Sequence, residues 1–123
     1  MQKAKLLIVE DEALIALDIR MSFSELGHNA YKIVSNGQAA IKSVENDNPD
    51  ILMLDIHLFG EMDGIDTALR IRSFSDIPII FMTGYSIEGV LDRTKDIKPI
   101  GLFEKPIDVS TISNLIDSVL AKK

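Results

Sequence analysis

Five polar residues in this chain stand where apolar runs end: Glu10 and Asp11 after "LLIV", Asp55 after "ILML", Thr83 after "IIFM" and Lys105 after "GLFE". Carboxylates brought together repel, at a cost of about 4 kcal/mol for two unit charges ~4 Å apart at an effective dielectric of ~20. A hard divalent cation removes that repulsion. Clustered carboxylate oxygens suit Mg²⁺ in octahedral geometry with several retained waters. A lysine and a threonine beside such a cluster, with nearby backbone N–H groups, offer donors and positive charge to the oxygens of an incoming phosphoryl group. Phosphoryl transfer asks a protein mainly for positioning and charge neutralisation, and Asp55 is then the candidate nucleophile, forming an acyl phosphate.

These residues can meet only if the runs that carry them are strands of one sheet. "KLLIVE" (5–10), "AYKIV" (30–34), "DILMLD" (50–55), "IPIIFMT" (77–83) and "IGLFE" (100–104) are short and rich in branched residues. Several are almost continuously apolar, the pattern of strands covered on both faces in a parallel sheet. Helical patterns separate them. The spacing predicts a helix over 12–26 with a core stripe of Leu14, Leu17 and Met21, stopped by Gly27. Further helices are predicted over 37–46 (Ala40, Ile41, Val44) and 63–73 (Ile65, Ala68, Leu69). The clearest follows Asp108, a capping residue, with Ile112, Leu115, Ile116, Val119 and Leu120 on one face. Residues 86–97, interrupted by Gly89, read as a short helix. Alternating strands and helices give an α/β fold with a parallel sheet and right-handed crossovers. In such sheets ligands sit beyond the carboxyl ends of the strands, near the topological switch point, which is the edge where the polar residues fall.

The chain has 123 residues, 46% hydrophobic and 26% charged, enough for one domain spanning 1–123 with a core of its own. A net charge of −6 argues against nucleic acid or an anionic membrane as direct partner. There is no cysteine, hence no disulfide and no thiolate metal site. No apolar run approaches the ~20 residues of a membrane span, and acids interrupt the N-terminal apolar stretch, so no signal peptide is expected. A cytoplasmic protein is the economical expectation.

The ordered set "LLIVEDE", "DIHL…GEMDG", "FMTGYS" and "FEKPID" resembles the receiver domain of the two-component response regulators over essentially the whole chain. The resemblance implies a doubly wound, flavodoxin-like five-stranded sheet of order 2-1-3-4-5 with five helices. It implies a phosphorylation-operated signalling switch, with Asp55 as phosphoacceptor and Mg²⁺ as cofactor. Asp11 would be the direct metal ligand, Glu10 its neighbour, and the His57 backbone carbonyl a further ligand. Thr83 would follow the phosphoryl group on activation, and Lys105 would pair with a phosphoryl oxygen. The donor would be a sensor histidine kinase or a histidine phosphotransfer protein, and the Lys105–Pro106 bond would be cis. Self-phosphorylation and self-dephosphorylation are expected, without enzymatic turnover, in a monomer or a dimer that forms on phosphorylation.

Three features depart from the family pattern. Leu102 stands three residues before the lysine, where the family usually has a switch aromatic, with Phe103 next to it and Tyr85 two past the threonine. The loop after Asp55 has Phe59–Gly60 in place of a proline and is one residue shorter. His57 is unusual at a position the family uses to tune dephosphorylation. Leu102 and the altered loop are the support for an alternative, a pseudo-receiver that keeps the fold as an interaction module. Taken singly, each site residue has an ordinary reading: strand-end carboxylates with Asp11 or Glu12 capping the first helix, a surface lysine, and a turn threonine before Gly84. It is their joint placement that favours chemistry. In "DRTKDIK" the basic residues Arg93, Lys95 and Lys98 read as a solvated face, with a docking surface as the competing reading.

Overall fold

Runs of branched apolar residues need cover on both sides, and the chain supplies it with helices on the two faces of one sheet. The computed structural model describes residues 4–122. Its strands are β1 (Lys5–Val9), β2 (Asn29–Val34), β3 (Ile51–Asp55), β4 (Ile79–Thr83) and β5 (Gly101–Glu104). The helices are α1 (Ala13–Glu25), α2 (Gly37–Asp47), α3 (Gly64–Arg72), α4 (Leu91–Thr94) and α5 (Val109–Ala121), with a 3₁₀ turn over Ile87–Gly89 before α4. All strand pairings are parallel and the order is β2-β1-β3-β4-β5, so the predicted five-stranded α/β fold is the one observed.

Because successive side chains of a strand point to opposite faces, each strand feeds two cores. Leu7, Val9, Leu52, Leu54 and Phe81 pack with Ala40 and Val44 of α2 and with Ile65, Ala68 and Ile71 of α3. Leu6, Ile8, Met53, Ile80 and Met82 pack with Ala16, Ile19 and Phe23 of α1 and with Ile112 and Ile116 of α5. Every residue of β3 and β4 is buried. At roughly 1.5–3 kcal/mol for each large apolar side chain taken from water, these two strands anchor the sheet and fix where their last residues lie.

Local chemistry starts and stops the helices as the sequence suggests, with exceptions. Asn36 accepts from the Ala39 N–H to cap α2, and Asp108 accepts from the N–H groups of Ser110 and Thr111 to cap α5. Asp63 and Asp66 form a reciprocal capping box on α3. Gly27 takes a φ of 89°, a conformation open to a residue without Cβ, and ends the turn after α1. The expected carboxylate cap on α1 is not made: Glu12 is the cap residue, yet its side chain bonds no helix N–H. Strand β4 begins after Pro78, two residues later than the apolar run.

Helix α1 turns inward a different face from the one its spacing suggests. Leu14, Leu17 and Met21, expected in the core, are 83%, 47% and 63% exposed, while Ala16, Ile19 and Phe23 are buried. This helix carries apolar residues on two faces, so helical periodicity alone does not choose between them. Burying Ala16 lets the helix approach the sheet closely and turns the bulkier leucines outward. Helix α3 shows the same effect on a smaller scale, with Leu69 half exposed and Thr67 buried. At the opposite end of the sheet from the site, buried His28 accepts from the Ala4 N–H at its Nδ1 and donates from Nε2 to Ser113 Oγ, tying the start of β2 to α5. Burial holds its pKa below the usual histidine value, although Asp117 pulls the other way.

Candidate functional site

Four strands deliver their last side chains to one edge. The chain leaves β1 into Glu10, whose N–H still bonds the Val34 carbonyl of β2 and whose side chain is buried. Asp55 ends β3 and Thr83 ends β4, both buried. Lys105 follows β5 and is held level with β4 by its N–H, which donates to the Thr83 carbonyl at 2.7 Å. The Lys105–Pro106 bond is cis.

The side chains converge. Lys105 Nζ lies 2.5 Å from Glu10 Oε1 and 3.0 Å from Asp55 Oδ2, so one ammonium bridges two buried carboxylates. Asp55 Oδ1 accepts from the His57 N–H at 3.1 Å, Glu10 Oε2 from the Glu12 N–H at 3.1 Å, and Asp11 Oδ2 from the Phe59 N–H at 3.0 Å. Glu10, Asp11 and Asp55 each place an oxygen within 4.8 Å of the other two. Burial pushes the Glu10 carboxyl up to about 7; the neighbouring Asp55 adds to the rise, while Lys105 and the Glu12 N–H oppose it. Burial disfavours the Lys105 ammonium, but the two carboxylates outweigh it and hold its pKa above the ordinary lysine value. Three carboxylates turned toward one point are a hard-oxygen donor set that fits a small divalent cation with several waters. A cleft of about 550 Å³ opens over Asp11, Asp55 and Lys105, walled by His57, Phe59 and Tyr85.

The chain as a whole resembles known proteins. The model of the response regulator receiver domain matches residues 6–117. The chain belongs to this family. Among curated proteins, the transcriptional regulatory protein PdtaR of Mycobacterium tuberculosis is 30% identical over 118 residues, which is 96% of this chain and 57% of PdtaR. The sporulation initiation phosphotransferase F of Bacillus subtilis is 29% identical over 124 residues, covering 100% of this chain and 98% of that protein. Among solved structures, the signal receiver domain of a modulated diguanylate cyclase from Desulfovibrio desulfuricans G20 superposes with a TM-score of 0.89 at 32% identity, over 98% of this chain and 96% of that one. The chain thus spans little more than half the length of PdtaR and nearly all of the sporulation protein.

Around the acid cluster and Lys105, the neighbouring loops are arranged as follows. Thr83 Oγ1 accepts from the Tyr85 N–H at 3.0 Å and faces the Tyr85 carbonyl at 3.4 Å. Leu102 is half-buried against the core on the α2–α3 side, and Phe103 against the core on the α1–α5 side. Tyr85 is 68% exposed, its ring set edge-to-face against that of His57. Arg93 is paired with Asp63 at 3.1 Å, which joins α4 to the start of α3, so one of the three basic residues of "DRTKDIK" belongs to a contact within the domain.

Several parts of the site escape a reading of residue types. The backbone N–H of Phe59 fixes Asp11, although nothing in the Phe59 side chain signals it. Asp63 caps α3 at the cleft wall. Gly64 runs so close to the end of β3 that a Cβ built there would lie 2.1 Å from the Asp55 carbonyl oxygen. The turn-like "MDG" was the available signal for both Asp63 and Gly64.

Proposed function

We propose that this receiver is a phosphorylation-operated signalling switch in which Asp55 accepts a phosphoryl group from the phosphohistidine of a partner kinase or phosphotransfer protein, with Mg²⁺ required. The supporting observation is the buried acid cluster with Lys105 Nζ reaching both Glu10 and Asp55. Glu10, Asp11, Asp55 and the His57 carbonyl are the groups that would hold the ion. Bound there, Mg²⁺ supplies positive charge to the phosphoryl oxygens in transfer. An Asp55 oxygen forms the new P–O bond while the P–N bond to the donor imidazole breaks, and the departing nitrogen takes up a proton as it leaves. Lys105 then turns from carboxylate to phosphoryl oxygen, a donor already placed within reach of Asp55. The new group brings about −1.5 to −2 charges at neutral pH. Thr83, freed from Tyr85, supplies a second donor, and its movement shifts the populations of the β4–α4 and α4–β5 surfaces. The chemistry is self-modification without turnover of a separate substrate, and a cytoplasmic location follows from this reading.

An apolar groove beside the cleft is the surface on which such a donor would dock. Exposed Leu14 borders an apolar groove of about 610 Å³ between α1 and the turn into α5, lined by Ile15, Ile19, Ile107 and Val109. The groove shares Gly84 and Lys105 with the cleft over Asp55. A partner with a complementary apolar face can therefore rest on α1 and present its phosphohistidine imidazole to Asp55. Leu14→Asp is expected to slow transfer from a phosphohistidine protein by about tenfold or more, since a charge would be buried at the contact. Equal slowing with acetyl phosphate, a donor too small to use α1, would show that the leucine is not acting through docking.

Calorimetric titration with Mg²⁺ separates a working switch from a module that only keeps the fold. Millimolar or tighter binding, lost in Asp11→Asn, supports the switch. Absence of any binding would leave the interaction module as the better reading.

A further inference from the structure

His57 and Tyr85 come from different loops, one two residues past Asp55 and the other two residues past Thr83. Their rings meet edge-to-face with centroids 4.4 Å apart and planes at 71°, at the wall of the cleft over the phosphoacceptor. Each is also tied by its backbone to a reacting group. The His57 N–H donates to Asp55 Oδ1, and both the N–H and the carbonyl of Tyr85 engage Thr83 Oγ1. Just beyond, the Ile87 N–H donates to Glu104 Oε1 at 3.2 Å and pins the same loop to the end of β5. The Thr83 hydroxyl therefore gives up its bonds to the Tyr85 backbone if it turns toward Asp55, and the Tyr85 ring rests against that of His57 at the surface.

We infer that the His57–Tyr85 ring pair is a latch that holds Thr83 in its resting orientation, and that it opens when Asp55 is phosphorylated. This rests on the phosphoryl-switch reading. The pair puts the control at the mouth of the site. His57 and Tyr85 are positioning residues: they act through Thr83.

The latch adds to the stability of the resting state, so weakening it favours the state that binds phosphoryl groups. Beryllofluoride with saturating Mg²⁺ is the probe, followed by the ¹⁹F signal of the bound species. Tyr85→Ala and His57→Ala are each expected to tighten beryllofluoride binding by about two- to tenfold, the range of an edge-to-face pair. Tyr85→Phe, which keeps the ring, is expected to bind as the wild type does. In a Thr83→Val background, which has no hydroxyl to hold, Tyr85→Ala is expected to change nothing further. Unchanged or weaker binding in both alanine variants would overturn the latch, as would an equal gain with Thr83 absent or with Tyr85→Phe. If the wild type binds no beryllofluoride at all, the switch reading itself fails and the latch falls with it.

Discussion

Phosphoryl uptake by Lys105→Met is expected to fall on the order of 10²–10³-fold, the usual cost of removing one preorganised donor to a developing phosphoryl or oxyanion charge. Methionine fills the space of the lysine stem but leaves Glu10 and Asp55 facing each other without the cation that bridges them. Breaking a buried pair on one side costs about 3–5 kcal/mol. Here the loss should reach only about half of that, because the Lys105 side chain is 18% exposed and Glu10 can take a proton. In the metal-free protein Glu10 is raised from 4.5 to about 7, so over that window the folded state holds a proton that the unfolded state has released. Its contribution to stability is present at low pH and is lost as pH rises through about 7. Removing Lys105 removes a group that opposes the rise, so in the variant the decline extends to higher pH. Urea unfolding across neutral pH, with and without Mg²⁺, reads both effects, and saturating Mg²⁺ is expected to restore much of the lost stability. A variant as stable as the wild type in metal-free buffer at alkaline pH would show that the carboxylates do not depend on this ammonium.

Gly64→Ala is expected to damage both fold and function without touching a charged group. Its Cβ would stand 2.1 Å from the Asp55 carbonyl oxygen and 2.7 Å from Ile56 Cα, and both obstacles are backbone at the end of a buried strand. Neither can swing aside as a side chain would. The Gly64 N–H also donates to the Ile56 carbonyl at 2.7 Å, so retreat of α3 breaks that bond. Overpacking a tight site costs about 1–3 kcal/mol, and a clash with backbone belongs at the upper end or above it. Because the strand end must shift, Asp55 moves too, and a displacement near 1 Å in a reacting group costs about 10²-fold in rate. Gly89→Ala is the control, since nothing lies within 4 Å of the Cβ it would add. Denaturation midpoints and acetyl phosphate uptake should separate the two variants clearly; like behaviour would mean that the β3–α3 turn has slack enough for a methyl group.

How much of this was legible in the amino-acid order depends on which force placed each residue. Strand ends were readable because an unbroken apolar run that stops at a carboxylate or a hydroxyl marks both the strand and the edge it reaches. Hence Glu10, Asp11, Asp55, Thr83 and Lys105 could be gathered before any coordinates. The phase of α1 was not readable, because Leu14–Leu17–Met21 and Ala16–Ile19–Phe23 are both plausible apolar faces and the approach distance to the sheet decides between them. That choice leaves an apolar face beside the site. Backbone donors are likewise silent in the sequence: the Phe59 N–H that holds Asp11 belongs to no residue type. The same holds for Gly64, whose importance comes from what it nearly touches. The contact between His57 and Tyr85 depends on two loops meeting, and neither loop alone specifies it.

Asp55 as the one phosphoryl acceptor is the point on which the proposed switch rests. Incubation with Mg²⁺ and acetyl phosphate, followed by intact-mass measurement and borohydride trapping of the acyl phosphate, tests it most directly. A mass gain of one phosphoryl group mapped to Asp55, absent without Mg²⁺ and absent in Asp55→Asn, is the expected result. No gain in the wild type, or a gain that persists in Asp55→Asn, would contradict it.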